Sequence, residues 1–407
     1  MQQKTFALAG TVIAIALLIP AGYALWKING GTSGKSSAPS EITMLDAKAF
    51  GDLSNAAASG VSEGKGGGLG ISESSSSMLV ADDKMIAPGE PYPYEPTVYI
   101  YSFAEDLTPY LVDATGTVYE RQAFSGFDGS TLNDIANAFS HLNIGAFLSG
   151  ELTSFVLSSN GYILSVDTTG NMWSMYKDWT NYTWDESWTP LTAEDLPSDD
   201  AIIATAKDFA NTWGIDVNGY GEPMIAEAEI ALARSGATDI YIPESATVVF
   251  PVLVNGELVY PSWTNAPTGL RISINLRDMT VTNAYDALSQ TYNASAYDLT
   301  QDTTLVGQLI AGGGSGPMAY EGIAINEVTV QLNAPERILM EYSLYEDGQS
   351  RTLFIPALRF TMQDPSQIPW TNGTITVPLV KDIAEAQAIV DDDVRVFDSV
   401  SSEPMVK

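Results

Sequence analysis

Beyond residue 96 the apolar positions follow two periods, one suited to strands and one to helices. Thr97 to Phe103, rich in Val, Tyr and Ile, predicts a strand. Leu132, Ile135, Phe139 and Leu142 recur at spacings of three, four and three, which predicts a helix from Ser130 or Thr131, with Asp134 suited to its positive end. A β-meander follows: Thr153 to Leu157, a Ser159-Asn160-Gly161 turn, Tyr162 to Val166, a turn at Asp167 to Gly170, and Asn171 to Tyr176. Asn-Gly between alternating apolar runs is a strong hairpin signal.

The order then repeats. Ser198-Asp199-Asp200 caps a predicted helix carrying Ile202, Ala206, Phe209, Ala210 and Trp213 on one face, and Gly214 stands where a left-handed stop is expected. Strands are expected over Met224 to Ala233, Thr247 to Val254, Glu257 to Trp263, Leu270 to Leu276 and Thr280 to Asn283, with Asn255-Gly256 as a hairpin turn. Each half is therefore a helix followed by an antiparallel meander, an α+β arrangement with one helix on one face of a curved sheet. A third block predicts a short helix over Asp298 to Ile310. Strands follow over Glu327 to Leu332, Ile338 to Tyr345, Arg351 to Thr361 and Thr374 to Val380, with a hairpin turn at Glu346-Asp347-Gly348-Gln349.

The first 96 residues read differently. Thr5 to Trp26 is an uncharged, mostly apolar run of 22 residues, roughly 33 Å as a helix, enough to cross a bilayer. Gly22-Tyr23-Ala24 would serve as a signal-peptide cleavage site. Trp26 and Lys27 instead suit an interfacial aromatic and a snorkelling base, which favours an uncleaved anchor over residues 1–27. Residues 28–90 read as a disordered Gly/Ser linker, with Gly30-Gly31, Gly66-Gly67-Gly68 and Ser74 to Ser77, in which Met44-Leu45 and Met78-Leu79-Val80 are too short to form a core. Prolines at 88, 91, 93 and 96 close it. The expected organisation is then a first α+β domain over 91–195, a second over 196–390, and an acidic tail over 391–407.

Charge changes the picture next. From Tyr92 onward 12 Lys and Arg face 42 Asp and Glu, and the whole chain carries a net charge of −32. That excludes the basic footprint nucleic acid requires and disfavours lying flat on anionic lipid. Plain solubility accounts for the same charge. Lys4 and the amino terminus nearly balance Lys27 and Lys35 across the apolar run, so the run's flanks do not orient it. The acidic, cysteine-free composition suggests a single-pass cell-membrane protein whose C-terminal part is extracytoplasmic.

The second half has Trp213-Gly214-Ile215-Asp216 closing a capped helix, then Tyr220-Gly221-Glu222-Pro223 and Val249 to Val259 around Asn255-Gly256. Later come Tyr297-Asp298-Leu299 before a short helix and Leu353-Phe354-Ile355-Pro356-Ala357-Leu358 closing the core. This pattern resembles the YycH/YycI and PepSY-like extracytoplasmic domains of bacteria, over roughly 195–380 with a fainter echo over 97–190. The resemblance implies a membrane-anchored, non-enzymatic module; the YycH/YycI type restrains a cell-wall histidine kinase through its transmembrane helix and ectodomain. The long Gly/Ser stretch departs from the YycI pattern, because a flexible coil transmits little torque.

Candidate chemistry is sparse. Four of the eight tryptophans fall in one stretch: Trp173, Trp179, Trp184 and Trp188, with Tyr176 and Tyr182 among them. Exposed, they would form a platform for a partner protein or for sugar rings; buried, they would close the edge of a sheet core. The carboxylate pairs Glu105-Asp106, Asp185-Glu186, Asp199-Asp200 and Asp391 to Asp393 are sequence neighbours, which on a strand point to opposite faces and so give no glycosidase geometry. Asp216 to Gly221 starts like a calcium loop but has Tyr220 at its fifth position. A single histidine, His141, precludes a multi-histidine metal site, and the absence of cysteine precludes a thiol nucleophile. Gly312 to Gly316 lacks the Lys-Ser/Thr of a phosphate loop. The expectation is a non-enzymatic protein without catalytic residues, metal or cofactor, anchored through residues 5–26. It would bind or regulate another cell-envelope protein, with a surface glycan-binding module as the alternative.

Overall fold

The computed structural model describes residues 14–16, 42–54, 97–123, 154–159, 161–167, 170–180, 189–236, 241–262, 264–287, 290–314, 326–346, 349–364 and 373–393. In chain order the strands begin with β1 (Ala14–Ala16), β2 (Ile42–Met44), β3 (Thr97–Ser102) and β4 (Thr115–Arg121). The meander is β5 (Ser154–Ser159), β6 (Tyr162–Asp167) and β7 (Met172–Lys177). Helix α1 (Asp199–Trp213), β8 (Met224–Ile225) and helix α2 (Ala228–Arg234) come next. They lead to β9 (Ser245–Pro251), β10 (Leu253–Val254), β11 (Glu257–Pro261), β12 (Gly269–Asn275), β13 (Val281–Ala287) and β14 (Tyr292–Asp298). Helix α3 (Thr303–Ala311), β15 (Asn326–Gln331), β16 (Glu336–Glu346), β17 (Gln349–Thr361), β18 (Thr374–Pro378) and helix α4 (Lys381–Asp393) complete the order. The architecture is mixed α+β, mostly strands.

The chain divides into two units, and neither is a continuous stretch. One comprises residues 1–41, 122–258 and 266–291; the other comprises 42–121, 259–265 and 292–407. The expected sequential domains, 91–195 and 196–390, are therefore not the compact units. The reason lies in strand pairing. In the first unit the sheet runs β1-β5-β6-β7-β13-β12-β9-β8, so the meander β5–β7 joins the later strands where β7 pairs antiparallel with β13. An antiparallel edge left open by one meander is closed by the other. The two meanders share one sheet instead of standing in two sequential domains.

Helix α1 forms as its sequence dictates. Ser198 Oγ accepts from the Ala201 amide at 3.3 Å, Asp199 and Asp200 occupy the first turn, and Gly214 ends the helix at φ +68°. Ile202, Ala206, Phe209, Ala210 and Trp213 are buried against Leu164, Val166, Trp173 and Met175 of the meander and against Val248, Phe250, Leu270 and Ile272. One helix thus covers strands from both halves. Tyr162 stands edge-on to both Phe209 and Trp213, with ring centroids 5.5 and 5.4 Å away, and its hydroxyl donates to the Val281 carbonyl at 2.8 Å. Ser198→Ala is expected to cost about 1 kcal/mol and Ser198→Gly only a few tenths, measured by urea unfolding.

Three expectations fail locally. The strand expected over Met224 to Ala233 stops at Ile225, and Ala228–Arg234 is helix α2. Its sequence, Ala-Glu-Ile-Ala-Leu-Ala-Arg, is made of helix formers, with Ile230 and Ala233 buried one turn apart. Arg234 reaches Asp199 and the Pro197 carbonyl, which pins α2 to the start of α1. The helix expected from Asp298 begins at Thr303, because Asp302 Oδ1 accepts from the Thr304 and Leu305 amides while Tyr292–Asp298 pairs as β14. The acidic tail expected from Asp391 overlaps α4, which continues to Asp393. The helix expected from Ser130 lies outside the described residues.

The second unit is a sheet in the order β11-β16-β17-β4-β14-β2, with β18 also on β17 and a separate parallel pair β3–β15. Helix α3 packs on β18, β3 and α4. The long hairpin β16–β17 keeps register from Glu336↔Arg359 to Glu346↔Gln349; Asp347 and Gly348 of the expected turn lie outside the described residues. Phe354, Tyr292, Tyr297, Leu353 and Phe360 fill its core. Burial pushes the Tyr342 phenol up to about 12 from its ordinary 10.0. The neutral phenol is favoured by the fold, so this stability is fully present below pH 10 and is lost as pH rises from about 10 to about 12. Tyr342→Phe is expected to flatten the alkaline loss by about 2 to 3 kcal/mol, read from urea midpoints between pH 9 and 12.

The span 28–90 is not a uniform coil, which corrects the expected linker. Ile42–Met44 joins the sheet edge in parallel with β14, pairing Tyr292↔Ile42, Asn293↔Thr43 and Ala294↔Met44. Past the strand, Phe50 is 5% exposed and Leu53 fully buried. Phe50 stacks on Tyr297, 6.1 Å between centroids, with the Arg351 guanidinium 5.8 Å from its centroid. Two such side chains contribute roughly 3 to 6 kcal/mol on burial, enough to order a short segment. Met44-Leu45 is indeed exposed; the anchoring residues are Phe50 and Leu53, five and eight positions further on.

Of the apolar run Thr5 to Trp26, only Ala14–Ala16 are described, as a strand parallel to β5. Among the described residues no helix is long and apolar enough to cross a membrane.

Candidate functional site

The sheet of the first unit has one face under α1 and one turned away from it. Alternation along β7 sends Trp173 and Met175 to the α1 side, where both are buried, and Met172, Ser174 and Tyr176 to the other. The β13 register sets Ala287 opposite Met172, Tyr285 opposite Ser174 and Asn283 opposite Tyr176. On β12, Arg271 stands opposite Tyr285, and on β6, Ser165 stands opposite Ser174. The far face is thus a polar field set with large apolar side chains. Met172, Tyr176 and Tyr285 are 46%, 39% and 37% exposed.

Trp179 lies just past the end of β7 and is 43% exposed. The backbone that presents it is held tightly. The Asp178 amide donates to the Gly161 carbonyl at 2.7 Å, and Asp178 Oδ1 accepts from both the amide and the hydroxyl of Thr180. Those two bonds hold the Asp178 carboxyl below its usual range. Lys177 Nζ donates to Thr280 Oγ1 at 3.3 Å and lies 5.0 Å from the centroid of the Trp179 ring, a cation–π pair that orients the indole.

Of the six aromatic residues expected to act together, Trp173 is in the core, while Tyr176 and Trp179 reach the surface. Tyr182, Trp184 and Trp188 lie outside the described residues. Met172 and Tyr285 belong to the same face and were not anticipated. Met172 could have been found from its alternation with Trp173; Tyr285 could not, since β13 meets β7 only through a pairing more than 100 residues apart in sequence.

The other candidates have structural work. Asp106 accepts from the amide and hydroxyl of Thr108, and Asp199 pairs with Arg234. Asp216 Oδ1 accepts from the Asn218 amide and side chain at 2.9 and 2.8 Å, an Asx turn following α1. Gly312 to Gly314 end α3, Gly314 at φ +94° with its amide on the Leu309 carbonyl. On β13, Asp286 is buried and takes the Tyr220 hydroxyl, Gln290 and the Ala287 amide. Among the described residues no three His, Cys, Asp or Glu side chains are grouped to hold a metal ion. His141 and the pair Asp185-Glu186 lie outside the described residues.

No family model matches the chain, and no curated protein matches it. Two solved structures resemble it in part. One is an uncharacterized protein from Eubacterium rectale ATCC 33656, 10% identical over 65% of this chain and 82% of that one, with a TM-score of 0.25. The other is the Bacillus megaterium YpeB C-terminal domain, 11% identical over 60% of this chain and 96% of that one, with a TM-score of 0.22. At such scores neither likeness carries an argument about fold or function.

Proposed function

We propose that this chain is a membrane-anchored, extracytoplasmic, non-enzymatic protein that binds or regulates another cell-envelope protein. The observation that carries the reading is the face bearing Met172, Tyr176 and Tyr285, exposed large apolar side chains on a sheet whose other face is buried under α1, with Trp179 also exposed just past the end of β7. Aromatic side chains with a polar tip are what protein interfaces favour at their centre. The apolar run Thr5 to Trp26 supports attachment to a membrane, and the net charge of −32 supports a basic partner surface. In its finer form the partner is a membrane-bound histidine kinase, as the YycH/YycI-like pattern implies. Crosslinking in intact cells followed by mass spectrometry tests the reading. An envelope protein captured by the native chain and lost with Tyr176→Ala plus Trp179→Ala is the expected result. Equal capture by both chains would remove this face from the proposal.

A second reading rests on the Trp179 ring, held by Lys177 and exposed, an arrangement on which a sugar ring could stack. Glycan-array binding that disappears with Trp179→Ala would favour it, and an array without signal would end it.

A further inference from the structure

The segment 42–54 is held in the second unit in the way a protein holds a peptide. Its main-chain bonds go to a single strand. The Leu45 amide donates to the Ala294 carbonyl at 2.7 Å and the Lys48 amide to the Ala296 carbonyl at 3.0 Å. Two hydroxyls of β14 then grip the backbone from both sides. Ser295 Oγ accepts from the Ala49 amide at 2.9 Å and donates to the Asp46 carbonyl at 2.6 Å. The Tyr297 hydroxyl accepts from the Phe50 amide at 2.9 Å and donates to the Gly51 carbonyl at 3.1 Å. Neither grip reads a side chain. Side-chain selection comes from three places: the stack of Phe50 on Tyr297, the buried position of Leu53, and the ion pair of Lys48 Nζ with Asp298 at 2.8 Å. Main-chain bonds for affinity and a few pockets for choice is the logic of strand addition.

The same geometry fits a detachable occupant. The segment meets its partners across about 246 positions of sequence. It has no cysteine to lock it. The 42 residues from 55 to 96 could span up to about 140 Å if extended, so the covalent connection does not force the segment into this groove. Ser295, Tyr297 and Asp298 are polar, so an emptied β14 edge can be hydrated.

We propose that β14 carries a binding site for turn-forming peptides of the form Lys-x-Phe-Gly-x-Leu, and that residues 48–53 are its resident, exchangeable ligand in cis. Lys48, at φ +55°, and Gly51, at φ +84°, make the turn, closed by the Gly51 amide on the Lys48 carbonyl at 3.1 Å, that leads to buried Leu53. Any outside ligand must reproduce that turn. The inference does not depend on the proposed envelope partner.

The test uses the full chain with a specific protease site placed at Gly66 to Gly68. After cleavage, a labelled peptide of residues 41–55 is added. The expected result is that a tenfold excess loads at least half of the β14 sites with labelled peptide, while far-UV circular dichroism and thermal unfolding of the remainder are unchanged. Peptides with Phe50→Ala or Leu53→Ala are expected to bind at least tenfold more weakly. The uncut chain, whose own segment competes, is expected to take up the native peptide at least tenfold less well than the cut chain. No exchange at a hundredfold excess over a day, or unfolding of the remainder once the fragment leaves, would overturn the proposal and make 42–54 a fixed part of the core. Displacement by the two alanine peptides as effective as by the native one would overturn it equally.

Discussion

Gly269→Ala is expected to cost at least about 4 kcal/mol and to leave the first unit largely unfolded. Gly269 opens β12 opposite Pro251 of β9, where the Val252 amide donates to the Thr268 carbonyl at 2.8 Å. A Cβ added there would lie 2.0 Å from the Phe250 carbonyl oxygen and 2.9 Å from the Val252 nitrogen. Both are backbone atoms in a paired strand, so no side-chain rotation relieves the clash. Separating the strands would break the β9–β12 ladder under α1, where Phe250 and Leu270 are buried. Gly256→Ala is the matching control. Gly256 has φ +83° but nothing within 4 Å of an added Cβ, so only the left-handed strain remains, about 1 kcal/mol. Amide hydrogen exchange across Val248, Phe250 and Ile272 separates the two outcomes: global opening in the first variant, near-native protection in the second.

Phe354→Ala is expected to destabilise the second unit by roughly 3 to 5 kcal/mol. Phe354 is fully buried in β17, opposite Tyr119 of β4, with its ring 5.5 Å from that of Tyr292. The Arg121 guanidinium lies 4.9 Å from the Phe354 centroid, and Arg121 Nε is buried without a hydrogen-bond partner among the described residues. Removing the ring therefore leaves a cavity and deprives a partly desolvated cation of the π face that compensates it. Phe354→Leu refills most of the volume without restoring the ring and should fall between, at about 1 to 2 kcal/mol. Urea unfolding measures both. A leucine variant as unstable as the alanine variant would place the weight on the cation–π pair instead of on packing.

The local signals in the chain were legible where each was complete within a few residues. The cap at Ser198, the apolar face of α1 and the stop at Gly214 were readable because i, i+3 and i+4 spacing and a capping hydroxyl act over one or two turns. Asn255-Gly256 was readable because both residues take positive φ, at +53° and +83°, as this hairpin turn requires. Ala228–Arg234 was misread because Met224-Ile225 gives a real strand start and the helical spacing of Ile230 and Ala233 is only one turn long. The candidate site was half legible. Trp173 and Tyr176 alternate along one strand, so one of them had to face away from the core, but which one depended on where α1 packs.

Other features had no local signal at all. Nothing in Phe50 or Leu53 by themselves points to Tyr297 and Ser295, about 246 positions away. Low-complexity flanks hide a docking segment because composition averages over the two side chains that matter. Likewise, the two meanders each offered an edge, and period-2 alternation is blind to which edge a strand will meet.

The sequence by itself determined an α+β chain, its α1 helix, its Asn255-Gly256 hairpin, its charge and its apolar first stretch, because propensity, periodicity and turn chemistry act between near neighbours. Only the tertiary structure decided that the two meanders form one sheet, that the compact units are discontinuous, and that 42–54 is held on β14. Those outcomes depend on open strand edges and buried pockets being filled by whichever distant segment fits, and that competition is settled by burial and hydrogen-bond satisfaction across the whole chain.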